Sequence, residues 1–556
     1  MVPHLALSGF MGSGKSAVGR ALAARLGIPF IDLDREVEAL AGAEIEDIFD
    51  RQGEDEFRRL ELMALTKVLE AEKRCGGQSG GHAGAVLGLG GGTVTTAEAR
   101  AVLRECCHTI WLQVELEEAW RRARGSGRPL ARDAAAFERL YAERRVVYGE
   151  SADWSLDTRG LDVHQVASRL ELLVDSVSAG DDQTGPRRGR RSAEWAVDVT
   201  GTERESRIWG GYNVRRRLTG WVTDVVESGR RAVIITDQGV AEAWRRDLAA
   251  LERLVGDTED PLLVLPQGET SKSVSNLCRL WETLAAKGLR RDDVVVVVGG
   301  GVIGDLGGFA AATYLRGIHL WQVPTSVIAQ VDSSVGGKVA VNLPQGKNLL
   351  GTFYQPDRVL VDPCFLITLP QAEVRNGLGE VVKYALLLGR EMFEQLESQA
   401  AALLIPDPGT WSNVARRCIE YKQSVVARDE RDQGERAVLN LGHTTAHALE
   451  RTAGFGRLGH GVAVGLGLLV ALHVSEELLD CSPRVRVQTA ALLQTLGLPT
   501  RTTLTDTEAV MAAMNWDKKA DAHGVKFVGL RAPGSPVVEL KVPAAVLRAG
   551  LEVIRA

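Results

Sequence analysis

Short apolar runs alternate with helical patterns at the start of the chain. Strands are expected at His4–Leu7, Phe30–Asp32, Val86–Leu89 and His108–Gln113, with a helix over Lys15–Leu26. That alternation predicts a parallel sheet covered by helices. A second βα region runs from about Glu194 to Leu360 and includes Ala232–Thr236 and Val294–Val298. Val294–Val298 is an unbroken valine run, the pattern of a strand buried on both faces. From about Asp362 onward strands largely vanish and helical periodicity takes over. The second half therefore reads as an α/β domain followed by a mainly helical one, with a cleft between them where ligands would collect. No internal repeat at solenoid periods is visible.

Between these regions, Ser176–Ser192 (SVSAGDDQTGPRRGRRS) is polar, glycine-bearing and charged. Such a stretch buries too little surface to offset its ordering entropy and reads as a flexible linker. The expected organisation is a first domain over 1–175, a linker over 176–193, an α/β domain over 194–361 and a helical domain over 362–556. A glycine-rich patch, Cys75–Gly84 (CGGQSGGHAG), reads as a loop insertion before the third strand.

Composition narrows the class. At 556 residues the chain is too long for one hydrophobic core. Hydrophobic residues at 45% and charged residues at 25% fit an ordinary globular protein. The net charge of −6 gives no global pull toward nucleic acid or an anionic membrane. No apolar run is expected to reach the ~20 residues that span a bilayer. The start, MVPHLALSGFMGSGKS, lacks the basic and long apolar segments of a signal peptide. Seven scattered cysteines without a CxxC favour reduced thiols and a cytoplasmic location. The partners expected are small molecules, with neither nucleic acid nor membrane among them.

Gly9-Phe-Met-Gly12-Ser13-Gly14-Lys15-Ser16 fits G-x4-G-K-[ST] between an expected strand and an expected helix. In that context backbone N–H groups of Gly12–Ala17 cradle phosphates, Lys15 reaches the terminal ones, and the Ser16 hydroxyl ligates magnesium. A P-loop alone says only that a nucleoside triphosphate binds. Three further elements follow: Asp32 and Asp34, two carboxylates that would point the same way off a strand; Arg58 on a helix, able to fork onto a carboxylate; and Gly90-Gly91-Gly92 after a strand, where backbone can approach a ligand. Singly, each also reads as a solvated turn, a surface arginine or a simple turn.

Together, in this order and spacing, they resemble shikimate kinase across roughly residues 1–170. The resemblance implies that Asp34, Arg58, Gly91 and Arg144 hold shikimate, the two arginines taking its carboxylate. Asp32 would serve the magnesium shell and orient the attacking hydroxyl. Arg128, in Gly127-Arg128-Pro129-Leu130, resembles the lid arginine that closes over ATP and neutralises charge on the transferred phosphoryl group. The glycine-rich insertion departs from the compact family pattern. A regulatory ATP sensor and another small-metabolite kinase remain as rivals, the second opposed by the pairing of Arg58 with Arg144.

In the second half, Gly299-Gly-Gly301-Val302-Ile303-Gly304-Asp305 follows the valine strand and would let a dinucleotide pyrophosphate meet backbone amides at a helix N-terminus. It is not a GxGxxG fingerprint. The stronger signal is ionisable. Glu380 and Lys383 stand at i, i+3, His443 and His447 at i, i+4, and His460 follows closely. One glutamate with two or three histidines suits zinc with an open position for substrate.

These stretches resemble 3-dehydroquinate synthase from about Glu194 onward. The match runs through Pro266-Gln-Gly-Glu269-Thr-Ser-Lys272, Val331-Asp332-Ser-Ser-Val-Gly-Gly-Lys338, Gly379-Glu380-Val-Val-Lys383, Leu439-Asn440-Leu-Gly-His443 and Asp517-Lys518-Lys519. The resemblance implies Glu380, His443 and His460 as ligands of Zn2+ or Co2+. Asp237, Glu269, Lys272, Gly301, Val302, Ile303, Gly304, Asp305, Thr325, Ser326, Lys338, Lys347 and Thr368 would line an NAD site. Asp332, Lys338, Lys383, Lys422, Arg436, Asn440 and His447 would face substrate, with Arg316 reaching in across a homodimer interface. Ser326 replaces a common threonine and keeps its hydroxyl, whereas Val462 replaces a common glutamate after His460-Gly461 and would alter what surrounds the metal. The implied substrate is 3-deoxy-D-arabino-heptulosonate 7-phosphate. Its chemistry would run through oxidation, phosphate elimination, re-reduction, ring opening and intramolecular aldol closure, with NAD regenerated each turnover. A polyol dehydrogenase on the same architecture is the rival, and the cluster of lysines and arginines suited to a phosphate dianion argues against it.

Overall fold

The structure, a computed structural model, describes residues 4–75, 84–124, 133–178, 194–255, 260–454, 457–503, 506–516 and 527–556. Arg128, residues 76–83, most of the expected linker (179–193) and Asp517-Lys518-Lys519 lie outside the described residues. Packing divides the chain into two compact units. The first comprises Met1–Arg188 with two short segments, Gly239–Ala250 and Ile367–Gln371; the second comprises Gly189–Gln238, Leu251–Leu366 and Ala372–Ala556.

In the first unit five strands form one parallel sheet. They are β1 (His4–Ser8), β2 (Phe30–Asp32), β3 (Val86–Gly88), β4 (Cys107–Gln113) and β5 (Trp154–Asp157), in the spatial order β2-β3-β1-β4-β5. Chain order runs to one side of β1 and then to the other, so the carboxyl end of β1 opens at a topological switch point, where α/β sheets bind ligands. The helix Lys15–Leu26 follows directly. Phe10, beside the loop, packs edge-on against Phe137 and Tyr141 at 5.0 and 5.2 Å between ring centroids. The helix Val163–Ser178 takes in the first three residues assigned to a linker. Its Arg169 is buried and donates to the carbonyls of Ile367 (3.2 Å) and Leu369 (2.8 Å), and to Gln371.

The second unit is built on seven strands: β6 (Trp195–Val199), β7 (Ser206–Gly210), β8 (Ala232–Asp237), β9 (Leu262–Leu265), β10 (Val294–Gly299), β11 (His319–Pro324) and β14 (Arg358–Val361). Their order is β6-β7-β14-β11-β10-β8-β9, parallel except for the β6–β7 pair. All six residues of β10 are buried, as the valine run predicts. The helix Gly301–Thr313 lies close on this strand, because a Cβ at Gly307 would sit 2.7 Å from Val297 Cγ2. A hairpin of β12 (Lys338–Leu343) and β13 (Gly346–Phe353) follows.

Helices then dominate, as the periodicity predicts, apart from a second hairpin of β15 (Phe527–Ala532) and β16 (Ser535–Leu540). The helix His460–Leu479 corrects a second expectation, since its length and apolar composition would suffice to cross a membrane. Here 72% of that stretch is buried inside the unit, packed against neighbouring helices and β15.

Glycines let this central helix be approached closely. A Cβ at Gly379, in the helix Gln371–Leu388, would lie 1.9 Å from the Gly461 carbonyl oxygen; one at Gly467 would lie 2.1 Å from that of Gly442. These two crossings bring Glu380, His443 and His460 toward one point, since each stands within one residue of a crossing glycine. Gly379→Ala should therefore destabilise the second unit by about 3 kcal/mol through overpacking against backbone. Gly220→Ala, in the helix Arg216–Glu227 with nothing within 4 Å, should stabilise it by up to ~1 kcal/mol. Chemical denaturation followed by circular dichroism checks both.

Candidate active sites

In the first unit the loop from β1 turns through Gly12 (φ 84°) and Gly14 (φ 88°) into the helix Lys15–Leu26. A Cβ at Gly9 would strike the Leu112 carbonyl at 2.7 Å, and one at Gly12 the Ala119 carbonyl at 2.9 Å, so the loop tolerates no side chain at either position. Gly12, Ser13, Gly14, Lys15, Ser16 and Ala17 thus form a tight turn ending in the first helical turn, whose amide N–H groups have no intrahelical acceptor. The Lys15 ammonium folds back over the loop and donates to the carbonyls of Gly9 (2.7 Å) and Phe10 (3.2 Å).

Asp32 ends β2 and sits at the cap position of the helix Leu33–Ala41, with Asp34 in its first turn. The expectation that both point off one strand is thus corrected: helix winding begins between them. Arg58 lies in the helical stretch Ile45–Cys75 beyond a break at Gly53 (φ 83°) and pairs with Glu61 (2.7 Å) and Glu54 (3.0 Å). Glu61 is buried and also accepts from the Thr93 hydroxyl at 2.5 Å. Arg144 (3.0 Å) and Tyr148 (2.5 Å) both donate to the Gly91 carbonyl. A Cβ at Gly90 would lie 2.8 Å from Asp34 Oδ1, and one at Gly92 2.1 Å from Arg58 Nη2. Asp34, Arg58, Gly91 and Arg144 therefore gather around one glycine turn. Glu61, Thr93 and Tyr148 were missed as site residues, although Glu61 stands at i, i+3 from Arg58, the spacing of a helical ion pair.

In the second unit, Asp237 ends β8, Gly299 ends β10, and Thr325 and Ser326 follow β11, so three neighbouring strands present their carboxyl ends together. Gly301, Val302, Ile303, Gly304 and Asp305 form the first turn and a half of the helix Gly301–Thr313. Cβ atoms at Gly300 and Gly301 would meet the Ser326 and Ser333 hydroxyls at 3.2 and 3.0 Å. Lys272 pairs with Asp305 and with the Asn348 side chain. Burial pushes the Asp305 carboxyl up, with Lys272 pulling the other way. Glu269 accepts from Asn342 at 2.7 Å. Thr368 falls in the first unit, where its hydroxyl accepts from the Trp244 indole at 2.7 Å.

The ionisable cluster is denser. Asp332, in a π-helical turn, accepts from Lys383 (3.0 Å), Tyr384 (3.1 Å) and Lys422. Burial pushes its carboxyl up, but the two lysines outweigh that and hold it below the usual carboxylate range. Lys383 also meets Glu380 Oε2 at 2.6 Å. Arg436 is buried, donating to the carbonyls of Glu430 (2.5 Å) and Gly336 (2.9 Å). Lys338 reaches Asp432 at 2.5 Å. Asn440 is exposed at the end of the turn Glu435–Asn440, and Arg316 lies at positive φ (65°) before β11.

Glu380 is only 1% exposed, and its Oε1 lies 3.3 Å from His443 Nε2 and 3.1 Å from His460 Nε2. The donor atoms of this trio all lie within 4.8 Å of one another, close enough for one ion to bridge. Burial would raise the Glu380 carboxyl, but Lys383 and the imidazoles hold it well below its ordinary value. His443 Nδ1 faces the Leu441 carbonyl (3.3 Å), and His460 Nδ1 faces Glu450 Oε2 (3.2 Å). The rings of His443 and His447 stand 5.5 Å apart. Where Val462 replaces a glutamate, its amide and that of Gly461 donate to Asn376 Oδ1 at 3.3 and 2.9 Å, which fixes the start of the His460 helix. Tyr384, Asn376 and Glu450 were not read from the sequence; Glu450 stands at i+7 from His443 and i+3 from His447, the same helical face.

Comparison with known proteins assigns a family to each part of the chain. The shikimate kinase family profile matches residues 11–173, and the N-terminal and C-terminal 3-dehydroquinate synthase profiles match 262–376 and 377–520. The 3-dehydroquinate synthase of Paracoccus denitrificans is 45% identical over 327 residues, 57% of this chain and 88% of that protein. That of Pelobacter propionicus is 42% identical over 327 residues, 59% and 90% of the two chains. A 2-deoxy-scyllo-inosose synthase, solved with carbaglucose-6-phosphate, NAD+ and Co2+, is 27% identical with a TM-score of 0.56, covering 65% of this chain and 99% of that one. The chain belongs to the 3-dehydroquinate synthase family and carries a shikimate kinase domain ahead of it, so that one polypeptide phosphorylates shikimate with ATP and converts 3-deoxy-D-arabino-heptulosonate 7-phosphate to 3-dehydroquinate.

Proposed function

We propose that each activity is carried by the residues gathered above, with magnesium serving the kinase, and NAD with zinc or cobalt serving the synthase. The observation that carries the synthase reading is the buried Glu380 carboxylate facing two imidazole Nε2 atoms. Metal–ligand bonds of ~2.0–2.2 Å in a tetrahedral shell put ligand atoms roughly 3.3–3.6 Å apart, close to the 3.1 and 3.3 Å separations here. The mixed nitrogen and oxygen donors suit such an ion, with the fourth position left to substrate. When bound, the ion supplies Lewis-acid polarisation of a substrate hydroxyl, and NAD accepts and returns a hydride.

The chain's own residues do the rest. Lys383 and Lys422 meet at Asp332, forming with Arg436 a cationic wall for the phosphate dianion. Asp332 keeps the two ammonium groups from repelling one another in the free protein. His447 stands on the same helical face as His443, where it can relay a proton between substrate and solvent. The glycine turn at 299–301 brings backbone N–H groups and a helix N-terminus to the dinucleotide pyrophosphate, as Asp237, Thr325 and Ser326 surround it.

In the kinase, Lys15, Ser16 and the loop amides hold the ATP phosphates, and Asp32 orients the shikimate hydroxyl that attacks. Arg58 and Arg144 take the shikimate carboxylate and Asp34 its ring hydroxyls. Glu61 braces Arg58 through a buried ion pair, and Tyr148 braces the Gly91 carbonyl beside Arg144. We assign Arg128 to charge neutralisation at the transferred phosphoryl group. Exposed Leu315, Leu349, Leu350 and Phe353 near Arg316 in sequence or on β13 favour a second copy as the partner, and a homodimer in the cytoplasm is the expected form.

Two outcomes test these roles. Arg144→Ala should raise the KM for shikimate about tenfold or more, the loss of a charge-assisted hydrogen bond, with the KM for ATP within twofold (~) of the parent. Steady-state kinetics with each substrate varied reads this, and an equal rise in both KM values would refute the assignment. In the free protein burial pulls the Lys422 ammonium down to about 8, against the pull of Asp332. Lys422 is thus charged below that pH and neutral above it, so the KM for the heptulosonate phosphate should climb as pH rises through about 8. Lys422→Arg should flatten that profile; an unchanged slope would remove Lys422 from the phosphate wall.

A further inference from the structure

Glu450 contacts side chains on two other elements, His460 of the ligand trio and Lys347. It lies in the helix His443–Ala453, on the face that carries His443 and His447, and its side chain is 2% exposed. Oε2 faces His460 Nδ1 at 3.2 Å, on the opposite side of the ring from the nitrogen that faces Glu380. Oε1 accepts from Lys347 Nζ at 2.9 Å. Lys347 belongs to β13, and its neighbour Asn348 accepts from Lys272, which pairs in turn with Asp305 at the start of the helix Gly301–Thr313. A buried carboxylate needs such partners to offset its lost hydration. A continuous path therefore runs from the His460 ring through Glu450, Lys347 and Asn348 of the hairpin, and Lys272, to Asp305 in the helix that follows the glycine turn.

We propose that Glu450 is a positioning residue that orients His460 toward the metal and anchors the Lys347 hairpin, coupling metal binding to dinucleotide binding. The proposal rests on the reading of Glu380, His443 and His460 as metal ligands and of Lys272, Asp305 and Lys347 as lining the NAD site. With a metal held at this trio, the His460 ring would be fixed; Glu450 would then be held by that ring, and Lys347 with its hairpin by Glu450, in the position that the dinucleotide would meet. By thermodynamic reciprocity NAD strengthens zinc binding by the same factor.

The test uses the full-length chain stripped of metal, with zinc affinity from chelator competition and NAD affinity from calorimetry with and without zinc. Glu450→Gln keeps the side chain's shape but offers one acceptor where the carboxylate offers two, and circular dichroism confirms that it folds. It should weaken zinc about 10- to 100-fold, the usual effect of losing a partner behind a metal-binding histidine. In the parent protein zinc should raise NAD affinity by about fivefold or more. In Glu450→Gln and in Lys347→Met that factor should fall to about one, within the coupling scale just given. Glu380→Gln separates the two claims. If it abolishes zinc binding while Glu450→Gln leaves zinc affinity and the coupling factor unchanged, the ligand reading stands and the role of Glu450 is refuted. If Glu380→Gln binds zinc as the parent does, the ligand reading fails and the proposal with it.

Discussion

A carboxylate buried to 1% exposure is the constraint around which the second unit is organised. Taking an ion out of water costs several kcal/mol even after relaxation, and Glu380 is stable in that position only because cationic and imidazole partners surround it. Lys383 on the same helix meets one oxygen; His443 and His460 meet the other. Those two histidines stand at the first positions of two different helices, so their meeting depends on how closely the helices cross. The glycines at 379, 442, 461 and 467 make that approach possible, since a methyl group at Gly379 or Gly467 would overlap backbone oxygen. Lys383 then passes the same charge balance to Asp332, and Asp332 to Lys422. The cluster is a chain of alternating signs running from the Glu380 trio, through Lys383 and Asp332, to Lys422.

The kinase domain solves a related problem with the charges reversed. In the proposed site Arg58 would present a guanidinium to a substrate carboxylate from beside the glycine turn. Glu61, itself buried and held by Thr93, fixes the far side of that guanidinium. The Gly91 carbonyl is shared by Arg144 and Tyr148, so the glycine turn is braced from one helix, Ala134–Ser151. In both units a glycine turn stands at the carboxyl end of a central strand, where side chains would strike neighbouring backbone or side chains.

Much of this was legible in the sequence. The valine run named a doubly buried strand, the P-loop lay between a strand and a helix as its pattern requires, and the Glu380–Lys383 spacing gave a true helical pair. What escaped was tertiary. Asp32 and Asp34 looked like neighbours on a strand because local alternation does not reveal that a helix starts between them. The apolar helix His460–Leu479 was not foreseen as one unbroken element, because its glycines and leading histidine interrupt the hydrophobic run without interrupting the helix. Glu450, Glu61 and Asn376 carry no motif of their own; beside any near neighbour on the helix, each meets a residue far away in the chain (Lys347, Thr93 and Gly461), which only the packing brings to it. Thr368 and Arg169 meet their partners in the same way, across separations that local patterning does not encode.

The central claim is that two chemistries of different dependence reside on one polypeptide, with the synthase resting on the Glu380, His443 and His460 trio. The most direct test strips metal from the intact chain, restores magnesium alone, and follows three signals. These are phosphate release from the heptulosonate phosphate, formation of shikimate 3-phosphate from ATP, and accumulation of NADH. Before stripping, phosphate release and shikimate phosphorylation should both proceed with no net NADH; afterwards phosphate release should cease until zinc or cobalt is returned, while phosphorylation continues. Phosphate release that survives stripping, or NADH that accumulates in step with turnover, would contradict the account.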